Sequence, residues 1–238
     1  MKLNLLVISA HPDDAEMSCG GTIAKHTSKG YKVGLVDMTM GELGTRGTPE
    51  LRLQEAENAR QILGAEVREN LGMADGFFRH DKTHVMMIIE KIRQYQPDMI
   101  ITNSPEDRHP DHPRASAIVK EAAFLSGLRN IHTTLEGKVQ SPWRPENLFH
   151  YIQHFNHTPD FIVDISGFLE RKMEAIKAFK SQFHQPDSDE PDTVLSQPGF
   201  LESLKSRSLQ HGGEIFKEAG EGLLKSRMPG IDDLNDIK

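Results

Sequence analysis

The chain opens on the run Leu3-Asn4-Leu5-Leu6-Val7-Ile8-Ser9-Ala10-His11-Pro12-Asp13-Asp14, in which an apolar stretch leads directly into a histidine and two acids. The apolar half predicts a buried β-strand over about residues 3–9. In open parallel α/β sheets, ligands bind in the crevice outside the carboxyl ends of the strands. The run therefore predicts a parallel strand that ends in a functional site.

Strand and helix signals alternate through the first half of the chain. Thr48 and Pro49 are typical of a helix N-terminus, Gly64 of the residue that follows a helix, and Asp81 of a helix cap. The predicted strands cover residues 3–9, 32–39, 67–71 and 98–102, and the predicted helices cover 22–28, 49–63 and 81–96. This alternation indicates parallel strands joined by right-handed crossovers, so we expect an α/β, three-layer Rossmann-like fold with a mostly parallel sheet.

The second half of the chain is less regular. Its predicted elements are a helix over about 114–126, strands over about 148–155 and 161–164, and a helix over 167–179 that Ser166 caps. Three prolines, Pro186, Pro191 and Pro198, exclude a long helix from residues 184–198. We expect this segment to be a loop, either mobile or a flap over the active site.

Composition narrows the class of protein. The 238 residues are 37% hydrophobic, so we expect one domain over residues 1–238 with a substantial core. The net charge of −7 argues against a nucleic-acid partner, and no apolar run is long enough to cross a bilayer. Cys19 is the single cysteine and no export signal precedes the first strand, so we expect a cytoplasmic location and leave open a homo-oligomer.

A second group of metal-capable side chains follows the fourth predicted strand, in Glu106-Asp107-Arg108-His109-Pro110-Asp111-His112. His11, Asp14 and His112 together would supply the two imidazoles and one carboxylate of a catalytic zinc site. Asp13 would then remain free to act as a general base on a metal-activated water. Zinc is the expected metal and ferrous iron is the alternative.

Other interpretations of these two loops stay open. Either loop alone could be a capped turn. Two histidines and a carboxylate also form the iron site of non-haem oxygenases, although Asp13 has no evident role there. Paired acids after a first strand also occur in phosphoacceptor domains, which are about half this length.

The motifs Ala10-His11-Pro12-Asp13-Asp14 and His109-Pro110-Asp111-His112 resemble those of the LmbE-like, or PIG-L, family of metal-dependent N-acetylglucosamine deacetylases. Further stretches, such as Lys180-Ser181-Gln182-Phe183, resemble the branch that deacetylates N-acetyl-glucosaminyl malate in bacillithiol biosynthesis. The resemblance implies hydrolysis of a linear amide to glucosaminyl malate and acetate. Inositol-linked or chito-oligosaccharide conjugates of N-acetylglucosamine are the alternative substrates.

The resemblance also implies roles for individual residues. His11, Asp14 and His112 would hold the metal and Asp13 would be the general base. His109 would protonate the leaving amine or support the oxyanion, with Asp111 holding its tautomer. The remaining implied positions are Arg144, near the reacting carbonyl, and Phe200, where relatives carry a tyrosine.

A substrate with two carboxylates needs cationic partners. Arg46, Arg52 and Arg108 lie in or beside the loops at the predicted active edge and are the candidates for charge-assisted contacts. Asp75, after the third predicted strand, is the candidate acceptor for sugar hydroxyls. The expected partner is thus a small anionic sugar conjugate.

Overall fold

The computed structural model describes residues 1–183 and 189–237, and these contain nine β-strands and six α-helices. The strands are β1 Leu5–Ser9, β2 Val33–Thr39, β3 Val67–Met73, β4 Met99–Thr102, β5 Thr134–Leu135, β6 Lys138–Val139, β7 Asn147–Tyr151, β8 Phe161–Asp164 and β9 Gly220–Lys225. The helices are α1 Asp14–Ser28, α2 Pro49–Leu63, α3 Lys82–Tyr95, α4 Asp111–Leu125, α5 Leu169–Lys177 and α6 Phe200–Glu214, followed by a short 3₁₀ helix at Leu234–Asp236.

Seven of these strands form one twisted sheet in the order β3-β2-β1-β4-β7-β9-β8. The first five are parallel to their neighbours, with Val7 of β1 opposite Leu35 of β2 and Ile101 of β4. Strand β9 runs antiparallel to both β7 and β8, while β5 and β6 form a separate hairpin. The predicted mostly parallel α/β sheet is confirmed.

Two apolar cores cover the two faces of the sheet. Leu5 and Val7 of β1 face the core that α1, α2 and α5 cover, whereas Leu6 and Ile8 face the core beneath α3 and α4. A strand that is buried on both faces reads as a continuous apolar run, which is why β1 shows no alternation in the sequence. The three-layer arrangement is confirmed.

The predicted boundaries of α2 and α3 are confirmed by their caps. The Thr48 side chain accepts a hydrogen bond from Leu51 N, the Asp81 side chain accepts one from His84 N, and Gly64 ends α2 at φ 75°. These ends depend on local backbone chemistry, which the sequence alone specifies.

The start of α1 was predicted wrongly. The helix begins at Asp14, not at residue 22, and Gly20-Gly21 lie inside it after a distortion at Cys19. Glu221 of β9 accepts hydrogen bonds from the amides of Gly21 (2.9 Å) and Thr22 (2.7 Å). Its carboxylate thus satisfies the amides that the distortion frees, as an N-cap would.

Several features of the second half differ from the prediction, and the β5–β6 hairpin and α6 are among the elements that were not predicted. Strand β7 ends at Tyr151, and α5 begins at Leu169 without a cap from Ser166, whose hydroxyl accepts from Glu218 N instead. Strand β9 was not predicted, because its sequence contains two glycines and an acid, Glu221, which are not typical of a buried strand. In the structure Glu221 is buried and paired with Lys172 at 2.7 Å.

The predicted loop over residues 184–198 is described only in part. Residues 184–188 lie outside the described residues, and residues 189–198 contain neither helix nor strand. Among the described residues, no helix combines the length and apolarity that a membrane span requires.

A substitution at Gly21 would test how closely α1 packs against the second half of the chain. A Cβ at Gly21 would lie 2.5 Å from Ile165 Cδ1 and 3.0 Å from its Cβ, whereas a Cβ at Gly20 would come no closer than 3.3 Å to Lys172 Cγ. We expect Gly21→Ala to lower the free energy of unfolding by about 1–3 kcal/mol through overpacking. The matched Gly20→Ala should stay within about 1 kcal/mol of wild type. Equal denaturant-unfolding midpoints for the two variants would contradict this packing.

Candidate active site

The carboxyl ends of three parallel strands meet at one set of buried polar side chains. Asn103 follows β4 and accepts a hydrogen bond from Ala10 N (2.8 Å) after β1. Its amide nitrogen donates to Asp14 Oδ2 (3.1 Å) and to Gln153 Oε1 (2.9 Å), which follows β7. The ends of β1, β4 and β7 are therefore fixed relative to one another by side-chain hydrogen bonds.

Asp14 lies between two histidines. Its Oδ2 is 3.5 Å from His11 Nδ1, and its Oδ1 is 3.3 Å from His112 Nε2. All three residues are more than nine-tenths buried. The structure thus brings together the three side chains that the sequence indicates as metal ligands.

The opposite nitrogen of each histidine faces a carboxylate. His11 Nε2 lies 3.1 Å from Asp75 Oδ1 and 3.3 Å from Asp111 Oδ2, and His112 Nδ1 lies 3.4 Å from Asp107 Oδ1. Histidines that bind a metal through one nitrogen commonly donate the other N–H to a carboxylate. This arrangement fits a divalent metal held by His11, Asp14 and His112.

The described residues also contain two tight clusters of metal-capable side chains that share His11. One is His11 with His109 and His112, and the other is His11 with Asp75 and Asp111, with ligand atoms within 4.8 Å of one another in each. The buried carboxylates and the imidazole nitrogens form the mixed donor set that zinc and ferrous iron accept.

Asp13 has an unusual backbone. It precedes α1 at φ 98°, a conformation that costs a non-glycine residue about 1–3 kcal/mol and that is frequent at functional sites. Burial raises the pKa of Asp13 to about 7, against the lowering effect of Arg52 and with a further increase from Asp14. The carboxylate therefore changes protonation near neutral pH, as a general base should.

Arg52 holds Asp13 in place. Its guanidinium donates to Asp13 Oδ2 (3.1 Å), Pro12 O (2.7 Å) and Gly41 O (3.1 Å), and the side chain is buried. Arg52 also lines the cleft, so the expectation that it binds substrate carboxylates stays a prediction, while its contacts here are with Asp13 and two backbone oxygens.

His109 stands beside the two other histidines. Its ring is 4.6 Å from that of His11 and 5.1 Å from that of His112, between centroids. Burial, with the neighbouring His11 and His112, lowers the pKa of His109. Its Nδ1 accepts from the backbone amide of Asp111 (3.3 Å), which fixes the proton of the neutral ring on Nε2.

The carboxylate of Asp111 has a different partner from the expected one. It faces His11 Nε2, accepts from Gly76 N (2.8 Å) and pairs with Arg114. The expected role of Asp111 toward His109 is therefore corrected: the backbone amide orients His109, and the side chain supports His11.

An open cleft leads to this cluster. Its volume is about 190 Å³, and its wall includes Asp13, Asp75, Arg108, His109 and Leu195. Asp75 Oδ2 accepts from Leu43 N (2.9 Å) while Oδ1 faces His11, so both oxygens already have protein partners. A larger cavity of about 820 Å³ between α3 and α4 contains none of the predicted site residues.

The other two predicted arginines, Arg108 and Arg46, lie in different environments. Arg108 is exposed on the cleft wall with its Nη2 3.4 Å from His154 Nε2. Arg46 is buried and its Nε donates to Ser181 O (3.0 Å) and Glu190 Oε2 (3.2 Å), so it braces two loops and its expected substrate contact is corrected.

Arg144 does not belong to the site. It precedes β7 at the amino edge of the sheet, where its guanidinium lies 4.5 Å from the Phe124 ring and donates to Phe124 O (2.9 Å). The cluster forms at the carboxyl edge, where β1 and β4 end. The expectation that Arg144 supports the reacting carbonyl is therefore wrong.

Four residues in and around the site have no predicted role: Asn103, Gln153, Asp107 and Glu16. Asn103 and Gln153 directly follow strands, the same signal that singled out His11, and Gln153 Nε2 donates to Asp14 Oδ1 (2.8 Å). Asp107 belongs to the second motif, and its carboxylate faces His112 Nδ1 at 3.4 Å. Buried Glu16 pairs with Arg68 at 2.6 Å, a contact that sequence separation concealed.

Comparison with known proteins agrees with this geometry. Residues 6–123 match the family described as PIG-L, GlcNAc-PI de-N-acetylase. The chain is 30% identical over 189 residues to the diacetylchitobiose deacetylase of Thermococcus kodakarensis, covering 75% of this chain and 70% of that one. The prediction of an amide-hydrolysing deacetylase is confirmed at the level of the family.

Two further relatives widen the comparison. The chain is 29% identical to the 4-oxalmesaconate hydratase of Pseudomonas putida, covering 75% of this chain and 74% of that one. The crystal structure of the conserved protein TT1542 from Thermus thermophilus superposes with a TM-score of 0.85 at 34% identity and covers 98% of both chains. The chain belongs to the PIG-L family.

Proposed function

We propose that this protein is a metal-dependent N-deacetylase of an N-acetylglucosamine conjugate, formed by one domain over residues 1–238. The observation that carries the proposal is the position of Asp13. It adjoins the cluster of His11, Asp14 and His112, lines the cleft and is paired with Arg52 at 3.1 Å. This leaves a carboxylate beside the ligand set to act on water.

The reaction adds water to the acetamide carbonyl carbon, breaks the C–N bond and yields acetate and a free amine. A divalent metal on His11, Asp14 and His112 would polarise the carbonyl and make water more acidic. Asp13 takes the proton from that water. Asp13 then passes that proton to the leaving nitrogen, which regenerates the carboxylate. His109, neutral with its proton on Nε2, donates a hydrogen bond to the carbonyl oxygen as negative charge develops on it.

The charge on the cleft wall favours an anionic sugar conjugate as the substrate. Arg108 is exposed beside His154, and within the described residues neither side chain forms an ion pair with a carboxylate, whereas Arg46 and Arg52 do. An exposed guanidinium suits a substrate carboxylate. We therefore propose N-acetyl-glucosaminyl malate as the substrate, in agreement with the sequence motifs.

A second candidate is the hydration of an unsaturated carboxylate. The Pseudomonas putida relative carries the name of such an enzyme, and Arg108 would suit its carboxylates equally well. Both reactions need an activated water, so only the product distinguishes them.

Substitutions of Asp13 and substitutions of the proposed metal ligands should have different effects on metal content. We expect Asp13→Asn to retain metal while turnover falls by about 10²–10⁴-fold, because a general base contributes about that much. His11→Ala and His112→Ala should lose both metal and turnover. Metal content is measured by atomic emission, and turnover is measured as acetate release. Acetate release in the absence of oxygen would also exclude an oxygenase.

The control is Asp192→Asn, which removes an exposed carboxylate. It should retain metal and turnover. Wild-type acetate release by Asp13→Asn would exclude Asp13 as the base, and full metal content in His112→Ala would exclude His112 as a ligand.

Arg108 should determine the response to substrate charge. We expect Arg108→Ala to lower kcat/KM for N-acetyl-glucosaminyl malate by about tenfold, the effect of one charge-assisted hydrogen bond, and to leave free N-acetylglucosamine unaffected. Arg144→Ala, which removes an exposed arginine at the opposite edge of the sheet, should change neither value. Equal wild-type rates on the malate conjugate, its inositol analogue and free N-acetylglucosamine would refute the malate assignment and leave the deacetylase.

A further inference from the structure

A small chamber opens beside the cleft. It has a volume of about 20 Å³ and shares Met17, Gln153 and His154 with the cleft wall. Gln153 also donates to Asp14 Oδ1 at 2.8 Å, so the entrance to the chamber adjoins the ligand set. The chamber is therefore a side branch of the active site.

The far wall of the chamber comes from α6, which contributes the apolar Phe200 and Leu204 and the cationic Arg207, and Ser18 of α1 also lines the chamber. Leu204 is buried, and Phe200 is half-buried with its ring 6.1 Å from that of His154 and 6.2 Å from that of Phe183. Arg207 lines the chamber and donates to the backbone oxygen of Gln153. Each of these walls is held by contacts within the protein.

The volume limits what the chamber can hold. About 10–15 Å³ is needed to accommodate one water molecule, so about 20 Å³ has room for one group of that size. A methyl group meets this limit and a sugar ring does not. The cleft, at about 190 Å³, is the space available to the rest of a substrate.

The substituents of the reacting carbon then have separate places. An acetamide carbonyl carbon carries oxygen, the sugar-bearing nitrogen and a methyl group. The oxygen must face the ligand set and the sugar must lie in the cleft, which leaves the chamber for the methyl group. We propose that this chamber receives the acyl chain and restricts the enzyme to acetyl groups, an inference that rests on the proposed function. Phe200 and Leu204 are the residues that determine acyl length.

The experiment compares N-acetyl, N-propionyl and N-butyryl forms of one glucosamine conjugate by amine release. We expect wild-type kcat/KM to fall at least about tenfold from acetyl to propionyl, because the chamber has no room for a further methylene against Phe200 and Leu204, and one methylene in a fitted pocket changes kcat/KM by about 10–200-fold. Leu204→Ala and Phe200→Ala enlarge the chamber, so each should reduce this preference by about tenfold. If Leu204→Ala does not fold, Phe200→Ala, at a half-buried position, decides.

The matched control is Leu201→Ala, which makes the same change on the same helix outside the chamber wall. It should keep the wild-type acyl preference. Equal wild-type rates on all three acyl forms would overturn the proposal, and so would an unchanged preference in both folded chamber variants. No amine release from any form, the acetyl form included, would instead refute the proposed function and the chamber with it.

Discussion

The buried Asp14 carboxylate is the interaction on which the site depends. Its Oδ2 accepts from His11 N (3.0 Å) and from Asn103 (3.1 Å), and its Oδ1 accepts from Gln153 (2.8 Å). Burying a carboxylate is costly unless it is paired and hydrogen-bonded. These donors come from segments that follow three different strands, so the sheet must be assembled before the carboxylate can be satisfied. The stability of the sheet and the geometry of the site are thus linked through one side chain.

The need to pair every buried carboxylate also gives the adjacent acids Asp13 and Asp14 different surroundings. Asp14 is the first residue of α1 and lies between two histidines, while Asp13 precedes it at φ 98° and pairs with Arg52. Arg52 compensates the buried charge of Asp13 without joining the ligand set. Neighbouring carboxylates in one environment would repel each other and titrate together. The strained backbone therefore gives each acid its own partner.

Much of this site was predictable, because it follows from strand ends. His11, Asp14 and His112 lie where the alternation of strands and helices places them. The error at Arg144 shows the limit: motif resemblance pointed to the site, whereas the parallel pairing of β7 with β4 puts any residue that precedes β7 at the opposite edge. Strand β9 escaped prediction because Glu221 is paired with Lys172 only in the folded chain.

The distribution of arginines restricts where substrate charge can be recognised. Arg52 and Arg68 are buried in ion pairs with Asp13, Glu16 and Asp37, and their guanidinium groups stabilise acids that the fold itself contains. Moving either arginine toward a ligand would leave a buried carboxylate unpaired, at a cost of several kcal/mol. Arg108 does not stabilise a buried carboxylate in this way, because it is exposed and its neighbour is His154. Recognition of an anionic substrate can therefore change at Arg108 without disturbing Asp13 or Asp14, which separates the specificity of the cleft from its chemistry.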